Sequence, residues 1–311
     1  MRHILVLLSI ALPMLMQAQV HNLAGFGVGP ANYSGLTPIG NHRYAVVSDK
    51  ETHPGFYVWQ IEQDPKTGVV TRVTNEGFRA DSNPLNRDAE GIAYCPSQGT
   101  VYISGEADQR IVEHHLDGSL TGRELTIPEG FGTRDIQPNR GFEALGHDTL
   151  RHVFWTTTES PRRGDSEGLL HLLQFDDQGQ CIAQHDYTLD TPQAKNPGRD
   201  HYHGVVAITP LPDGRLAMLE REARIAPRYN GSRCWCKVYL WSPSTGEKTL
   251  LEEWSTKFSL TNTRMANYEG MCLGQVLADG TQTLLLVSDS QAGFGKGKWH
   301  LKDYLKVIVM N

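Results

Sequence analysis

Acidic residues recur at matching places in five copies of one sequence pattern, and their spacing limits the chemistry open to this chain. In the second and third copies two glutamates stand sixteen positions apart, and the fifth copy holds a pair at a longer interval. Carboxylates gathered in one place can bind hard cations, transfer protons or pair with arginine. The acids are Asp49 in the first copy, Glu90 and Glu106 in the second, Glu143 and Glu159 in the third, Glu220 in the fourth, and Glu269 and Asp289 in the fifth.

Each copy also carries the elements that must position these acids. A short apolar segment with glycine in or beside it is followed by a turn and by a second apolar run that ends in the carboxylate. Further strand-like runs follow, so a complete copy reads as four antiparallel strands. A repeat of this kind, with about four strands per copy, is typical of an all-β fold, the β-propeller. The first segments cover 34–36, 90–92, 142–145, 203–206 and 269–271, and the second cover 44–49, 101–106, 153–159, 216–220 and 284–289.

The last copy is one strand short, which indicates how the ring closes. Its third strand spans 304–310, and no fourth run follows. An unassigned apolar segment near His21 to Val28 precedes the first copy, and we expect it to supply the missing outer strand. That join would leave no free sheet edge at the seam. The count predicts five four-stranded antiparallel blades, with six blades as the alternative.

The N-terminal residues read as a secretory signal. Arg2 and His3 precede an apolar run over 4–16, and we place cleavage after Ala18. Residues 1–18 are therefore predicted to be a signal peptide and 19–311 a single propeller domain. We expect an exported bacterial protein, periplasmic or extracellular, without a transmembrane segment. The 29 basic residues against 35 acidic ones argue against nucleic acid as a partner, and we expect a monomer.

Five cysteines do not make a disulfide framework, because the count is odd. Their spacing fits no zinc site, and we expect buried structural thiols. The cysteines are Cys95, Cys181, Cys234, Cys236 and Cys272.

Propeller geometry predicts that the acids meet. Strands one and two of a blade are antiparallel, so the start of the first and the end of the second lie at the same end of the blade. Rotation about a common axis then places all eight acids around one mouth of the central channel. Their negative charge must be offset in one of three ways: by protonation, by a bound cation, or by arginine and lysine partners such as Arg87. Oxygen donors in this number favour Ca²⁺, whereas a structural reading has the acids cap strand ends and pair with arginines without a metal.

The fourth copy differs in its first strand. His201-Tyr202-His203 stands where other copies have an acid, and alternation in a strand would place both imidazoles on one face. The pair would either complete the site or belong to a solvated loop.

Several short motifs in one order resemble a known family. They are Ser34-Gly35-Leu36, Asp88-Ala89-Glu90-Gly91-Ile92, Asn139-Arg140-Gly141-Phe142-Glu143, Leu219-Glu220-Arg221 and Asn267-Tyr268-Glu269-Gly270-Met271. Over about residues 30 to 310 the chain resembles the phytase-like family of exported bacterial proteins, labelled "esterase-like activity of phytase". The resemblance implies a propeller with a phosphoesterase-type, metal-dependent activity. By motif match it also implies an acidic site made of Asp49, Glu90, Glu143, Glu220, Glu269 and Asp289.

The preferred hypothesis is an exported Ca²⁺-dependent phosphoesterase that acts on a small anionic substrate such as a phosphate ester. All eight acids are candidate metal ligands. The candidate catalytic groups are Glu143, Glu269 and Arg221, and the candidate substrate contacts are Arg140, Lys50, Arg264 and His203. Two alternatives remain open: a lactonase or carboxylesterase of the gluconolactonase-like propeller type, and a non-enzymatic binding propeller.

Overall fold

The computed structural model describes residues 19–196 and 200–310, and the predicted signal peptide lies outside the described residues. Within those ranges the chain is built of strands, with one short 3-10 helix at Leu23–Phe26. None of the helical structure in these ranges is long and apolar enough to cross a membrane.

Five sheets account for nearly all strands. The first strand is β1 (Gln19–Asn22). Blade one comprises β2 (Tyr33–Gly40), β3 (Arg43–Ser48), β4 (Gly55–Gln63) and β5 (Val70–Ala80). Blade two comprises β6 (Ala89–Cys95), β7 (Thr100–Gly105), β8 (Arg110–His115) and β9 (Leu120–Glu124). Blade three comprises β10 (Phe142–Asp148), β11 (Val153–Thr158), β12 (Leu169–Asp176) and β13 (Cys181–Thr188).

The last two blades depart slightly from this plan. Blade four comprises β14 (His201–Pro210), β15 (Leu216–Arg224), β16 (Ser232–Trp241), β17 (Lys248–Ser259) and the short β18 (Asn262–Thr263). Blade five contains β19 (Asn267–Val276) and β20 (Gln282–Asp289). A separate hairpin, β21 (Gly295–Lys296) with β22 (Trp299–His300), precedes the last strand, β23 (Tyr304–Val309).

The ring closes by joining the two ends of the described chain. The sheet order of blade five is β1-β23-β20-β19, and Gln19 pairs with Val307 while Asn22 pairs with Tyr304. Both the predicted closure and the count of five blades are therefore confirmed. The closing strand ends earlier than the predicted segment, because Leu23 begins the 3-10 helix and is fully buried in the core.

The hydrophobic core lies between neighbouring blades. Five clusters of buried side chains occur, each shared by two adjacent blades. Trp59, for example, is fully buried at the seam of blades one and five, with its ring 4.7 Å from that of Tyr33. All five cysteines are free thiols, and four of them are buried in these clusters. Packing on both faces of each blade holds the first strands in a fixed ring around the axis.

Close contact between first strands requires glycine at two of the predicted positions. A Cβ atom at Gly35 would lie 2.4 Å from the Glu90 carbonyl oxygen, and one at Gly91 would lie 2.4 Å from the Glu143 carbonyl oxygen. Neither carbonyl can retreat without moving the strand that carries it. These glycines therefore set the distance between the blades that carry the acids.

We expect Gly91→Ala to destabilise the protein by about 1–3 kcal/mol, because the added methyl group forces two strands apart. Urea unfolding followed by tryptophan fluorescence measures the change. Gly29→Ala is the matched control, since Gly29 has no atom within 4 Å of the added Cβ, and it should change stability by less than about 0.5 kcal/mol. Equal unfolding midpoints for the two variants would contradict the close approach of the strands.

Candidate functional site

A cavity of about 390 Å³ opens at the end of the axis where the first strand of each blade begins, and all five blades line it. Six of the eight predicted acids lie in its wall. Glu106 lies beside them, because one of its oxygens comes within 4.8 Å of ligand atoms of Glu143 and Glu159. We call this cavity and its seven carboxylates the acidic mouth. They are Asp49, Glu90, Glu106, Glu143, Glu159, Glu269 and Asp289.

A β-bulge in each first strand positions one set of these side chains. In every blade the pairing of strand one with strand two shifts register. The shift lies near the start of the strand in four blades, but in blade four it is at Val206, so the prediction that His203 takes the place of the first-strand acid was wrong. A bulge adds an unpaired residue and redirects its side chain. Three of the bulged residues are glutamates that face the cavity. The residues at the shifts are Ser34, Glu90, Glu143, Val206 and Glu269.

The second set comes from the ends of the second strands. Beyond the bulge in blade one, Gly35 pairs with Val47, and Asp49 follows two residues later. In blade three Ala144 pairs with Thr157, so Glu159 takes the same place. The equivalent position in blade five is Asp289.

In blade four this position belongs to Arg221 and not to Glu220. Ala207 pairs with Leu219 beyond the bulge, so the residue two places further on is Arg221. Successive side chains of a strand point to opposite faces, and the Glu220 carboxylate therefore faces the seam between blades three and four. There it accepts hydrogen bonds from Tyr187 Oη at 2.7 Å and from Lys248 Nζ. The prediction that Glu220 belongs to the acidic ring was wrong, because it was aligned one residue out of register.

Arg221 is the central cation of the acidic mouth. Its Nη2 lies 2.6 Å from Glu159 Oε1, and its Nη1 lies 2.8 Å from Glu269 Oε1. Glu143 Oε2 is farther away, at 3.8 Å from Nη2. The Arg221 side chain is only 6% exposed. One guanidinium thus joins acids from blades three and five.

Two other predicted cations lie at the rim. Lys50 Nζ is 2.9 Å from Asp49 Oδ2 and also contacts Asp88, while its side chain is 54% exposed. Arg140 Nη1 is 2.6 Å from Glu159 Oε2, and its guanidinium lies 4.3 Å from the Tyr202 ring. Both can reach an anion at the entrance.

Two predicted substrate contacts lie elsewhere. Arg264 lines a separate cavity on the outer strands of blades four and five, beside Trp254 and Tyr304. His203 lies in strand β14, with its ring 6.5 Å from that of His201. It lines an adjoining cavity of about 820 Å³ that also contains Arg140 and Arg163. Arg264 therefore cannot contact a ligand in the acidic mouth, whereas His203 could contact one that extends past Arg140.

Sequence reasoning missed Asp88. Ligand atoms of Asp49, Asp88 and Glu90 all lie within 4.8 Å of one another. Asp88 lies in the loop just before β6 and has a positive φ of 54°, so its side chain is placed by the loop path and no strand pattern could have found it. A second group with the same spacing consists of Glu106, Glu143 and Glu159. The acidic mouth thus offers two three-carboxylate groups.

Burial raises the pKa of most of these acids. It raises the pKa of Glu90, Glu143 and Glu269 well above the usual value, and neighbouring carboxylates add to the effect. Burial likewise raises the pKa of Glu106 to about 7 against the hydrogen bond from the Gly141 amide. Burial also raises the pKa of Asp289 to about 7, although a hydrogen bond from the backbone amide of Gln291 partly lowers it. Several acids therefore favour their protonated form unless a cation approaches.

The acidic mouth has more acids than cations. Its seven carboxylates and Asp88 face three cationic side chains, those of Arg221, Arg140 and Lys50. Among the described residues, the buried atoms Glu143 Oε2 and Asp49 Oδ1 have no hydrogen-bond partner. One such oxygen belongs to each three-carboxylate group. All donors are oxygens, so the residues fit a hard cation of the Ca²⁺ type and do not fit zinc, which favours nitrogen and sulfur.

We expect the metal-free protein to lose stability as the pH rises from about 4 to 7. The folded state holds protons on Glu106 and Asp289 up to about pH 7, whereas the unfolded chain releases them near 4.5 and 3.8. The stabilisation that these protons give to the folded state is therefore complete below the pKa values of the unfolded chain, and it is lost as the pH rises through about 7. Urea midpoints in the presence of a chelator should fall across this range. Glu106→Gln should reduce this decrease in the urea midpoint, whereas the control Glu124→Gln, at an exposed glutamate, should not. A midpoint that rises from pH 4 to 7 would contradict the raised pKa values.

We expect Arg221→Met to destabilise the protein by about 3–5 kcal/mol at pH 7, because it leaves buried carboxylates without their cation. The loss should shrink at pH 5, where the acids bind protons. Arg215→Met is the matched control, because the Arg215–Asp213 pair is exposed and exposed pairs contribute about 0–1 kcal/mol. Chemical denaturation at both pH values measures the difference, and a loss that does not depend on pH would contradict the charge argument.

Several solved structures are similar to the chain. The chain is similar to the PQQ-bound aldose sugar dehydrogenase of Streptomyces coelicolor, with 15% identity, 94% of this chain and 99% of that chain covered, and a TM-score of 0.46. It is also similar to the periplasmic gluconolactonase of Pseudomonas aeruginosa, with 14% identity, 87% and 71% covered, and a TM-score of 0.38. Likeness at this level carries no argument about activity. No curated protein matches the chain.

The sequence itself carries a stronger relationship than these structures do. The family described as "Phytase-like: Esterase-like activity of phytase" matches residues 30–291, which include all seven carboxylates of the acidic mouth. That span covers most of the chain, from just before β2 to just beyond β20. The chain therefore belongs to the phytase-like family.

Proposed function

We propose that this protein is an exported, monomeric hydrolase that binds a divalent cation, Ca²⁺ by its donor chemistry, and cleaves phosphate esters at the acidic mouth. The observation that carries the proposal is the excess of buried carboxylates over cationic side chains, with a buried unpaired oxygen in each three-carboxylate group. The family's name supports hydrolysis of an ester. A site that was only structural would be expected to pair these oxygens.

The cation fits best at Asp49, Asp88 and Glu90. Arg221 already neutralises the other group through Glu159 and contacts Glu269. The first group is contacted by Lys50, whose exposed side chain can move away at little cost. When bound, the ion would polarise a phosphoryl oxygen and lower the pKa of a bound water.

The protein's own groups supply proton transfer. Burial raises the pKa of Glu143, which favours its protonated form, and in that form the side chain can give a proton to a leaving oxygen. Glu269 is held by Arg221 and by Asn267, whose Nδ2 donates to Glu269 Oε1 at 2.6 Å. That fixed carboxylate, once ionised, can accept a proton from water. Arg221 therefore acts by positioning Glu269 and Glu159.

The rim supplies anion binding. Arg140 and Lys50 lie on different sides of the entrance and are both partly exposed. A guanidinium can donate two parallel hydrogen bonds to a phosphate. The adjoining cavity with Arg163 and His203 gives room for the remainder of a substrate that carries more than one anionic group.

We expect the purified protein to release phosphate from p-nitrophenyl phosphate or from inositol phosphates, with activity lost in a chelator and restored by Ca²⁺. Glu143→Gln should lower kcat by about 10²–10⁴-fold, because it removes a proton donor. Glu90→Gln should raise the Ca²⁺ concentration for half-activation by about tenfold or more. Glu220→Gln is the matched control: it is a buried glutamate outside the acidic mouth, and the folded variant should keep its activity.

Other outcomes would reject the proposal. Hydrolysis of lactones or acyl esters without phosphate release would identify the lactonase or carboxylesterase alternative. Turnover of none of these substrates, with no effect of Ca²⁺ on the melting temperature, would favour a binding propeller whose acids are structural.

A further inference from the structure

A second cluster of metal-ligating side chains lies at the opposite end of the blades from the acidic mouth. Cys95 ends β6, His147 lies near the end of β10, and Asp177 lies in the turn between β12 and β13. These elements belong to blades two and three, so the cluster bridges their seam. We call it the distal cluster. Its members are far apart in sequence, which is why no cysteine spacing indicates it.

The contacts within the distal cluster are short and specific. His147 Nε2 lies 2.9 Å from Asp177 Oδ1, and His152 Nδ1 lies 3.1 Å from Asp177 Oδ2. One ligand atom each from Cys95, His147 and Asp177 lie within 4.8 Å of one another. Ser97 bridges the two blades, because its Oγ donates to Asp177 Oδ2 at 2.8 Å and lies 3.2 Å from Cys95 Sγ.

His147 is buried within the distal cluster and is incompletely hydrogen-bonded. Its side chain is only 1% exposed, and Nε2 is the nitrogen that contacts Asp177, whereas Nδ1 has no hydrogen-bond partner among the described residues. A buried imidazole nitrogen without a partner is unfavourable. Cys95 is likewise fully buried, so a substrate cannot reach its sulfur and a nucleophilic role is excluded.

We propose that the distal cluster is a zinc-class metal site formed by Cys95, His147 and Asp177, with a water as the fourth ligand. One sulfur, one imidazole nitrogen and one carboxylate oxygen are donors typical of Zn²⁺, which binds four ligands at about 2.0–2.3 Å. The set is the reverse of the acidic mouth, which offers oxygens alone. The two ends of the propeller therefore select different metals.

The site would act as a clamp between two blades. Its ligands come from the hairpins of blades two and three, and within the ring these blades otherwise meet through apolar packing and a few polar contacts. A metal bound to the folded state alone stabilises it by mass action. Hydrolysis at the acidic mouth does not depend on the clamp once the protein has folded.

Titration of the full-length mature protein with Co²⁺, in excess Ca²⁺, tests the proposal. A thiolate-to-cobalt charge-transfer absorption reports sulfur ligation, which carboxylates of the acidic mouth cannot produce. The wild-type protein should give this absorption at one ion per chain, and Zn²⁺ should abolish it by displacement. Cys95→Ala should remove the absorption and weaken Zn²⁺ binding at least about tenfold. Cys272→Ala, which removes another buried thiol, should leave both unchanged.

Asp177→Asn keeps the test decisive if Cys95→Ala does not fold. This variant should also weaken Zn²⁺ binding about tenfold or more and reduce the rise in melting temperature that Zn²⁺ gives to the wild-type protein. Absence of the charge-transfer absorption in the wild-type protein, or its persistence in Cys95→Ala, would overturn the proposal. Phosphate release by the zinc-free protein in Ca²⁺ is measured in parallel, so failure of the distal site is distinguished from failure of the proposed hydrolase.

Discussion

The Arg221 guanidinium lies 2.6 Å from Glu159 and 2.8 Å from Glu269, in a place where little water can reach any of the three. Removing charges from water is costly, and only close pairing offsets the desolvation. One arginine cannot neutralise all the acids of the mouth. Burial, together with the charge of neighbouring carboxylates, raises the pKa of members such as Glu90, and buried oxygens without a hydrogen-bond partner remain available to a cation. The incomplete pairing of buried carboxylates by Arg221 thus determines both the stability of this end of the propeller and its capacity to bind a cation.

The scaffold keeps that arrangement from relaxing. Inner strands contact one another so closely that Gly91 has no room for a side chain, and each seam is filled by its own apolar cluster. At the other end of the axis a cavity of about 330 Å³ is lined mainly by apolar residues, including Leu36, Ile92 and Met271. The charged end is therefore separated from the far end by an apolar layer, and its acids cannot spread along the channel.

Much of this architecture could be predicted from the sequence, because it follows from a repeat. Five copies with alternating apolar runs specified the blades, the closure by β1 and the end of the channel at which the acids meet. The register inside a copy could not be predicted. A one-residue change of register exchanges the two faces of a strand, and the pairing of Ala207 with Leu219 gives Arg221 the place that had been assigned to Glu220. The positions of the Arg264 and Asp88 side chains depend on loop paths, and the distal cluster depends on contacts between blades. The sequence repeat indicates neither.

The sheet of blade five also bears on how the chain becomes a ring. Strand β1 pairs with β23, and the two are separated by nearly the whole described chain. A growing polypeptide can therefore assemble four blades while its first strand still has no neighbour. Until Val309 has been synthesised, both lateral borders of the arc expose unpaired backbone, which invites pairing with another molecule. Crowded refolding should accordingly yield exchanged dimers in which the β1 of one copy completes the last blade of a second copy.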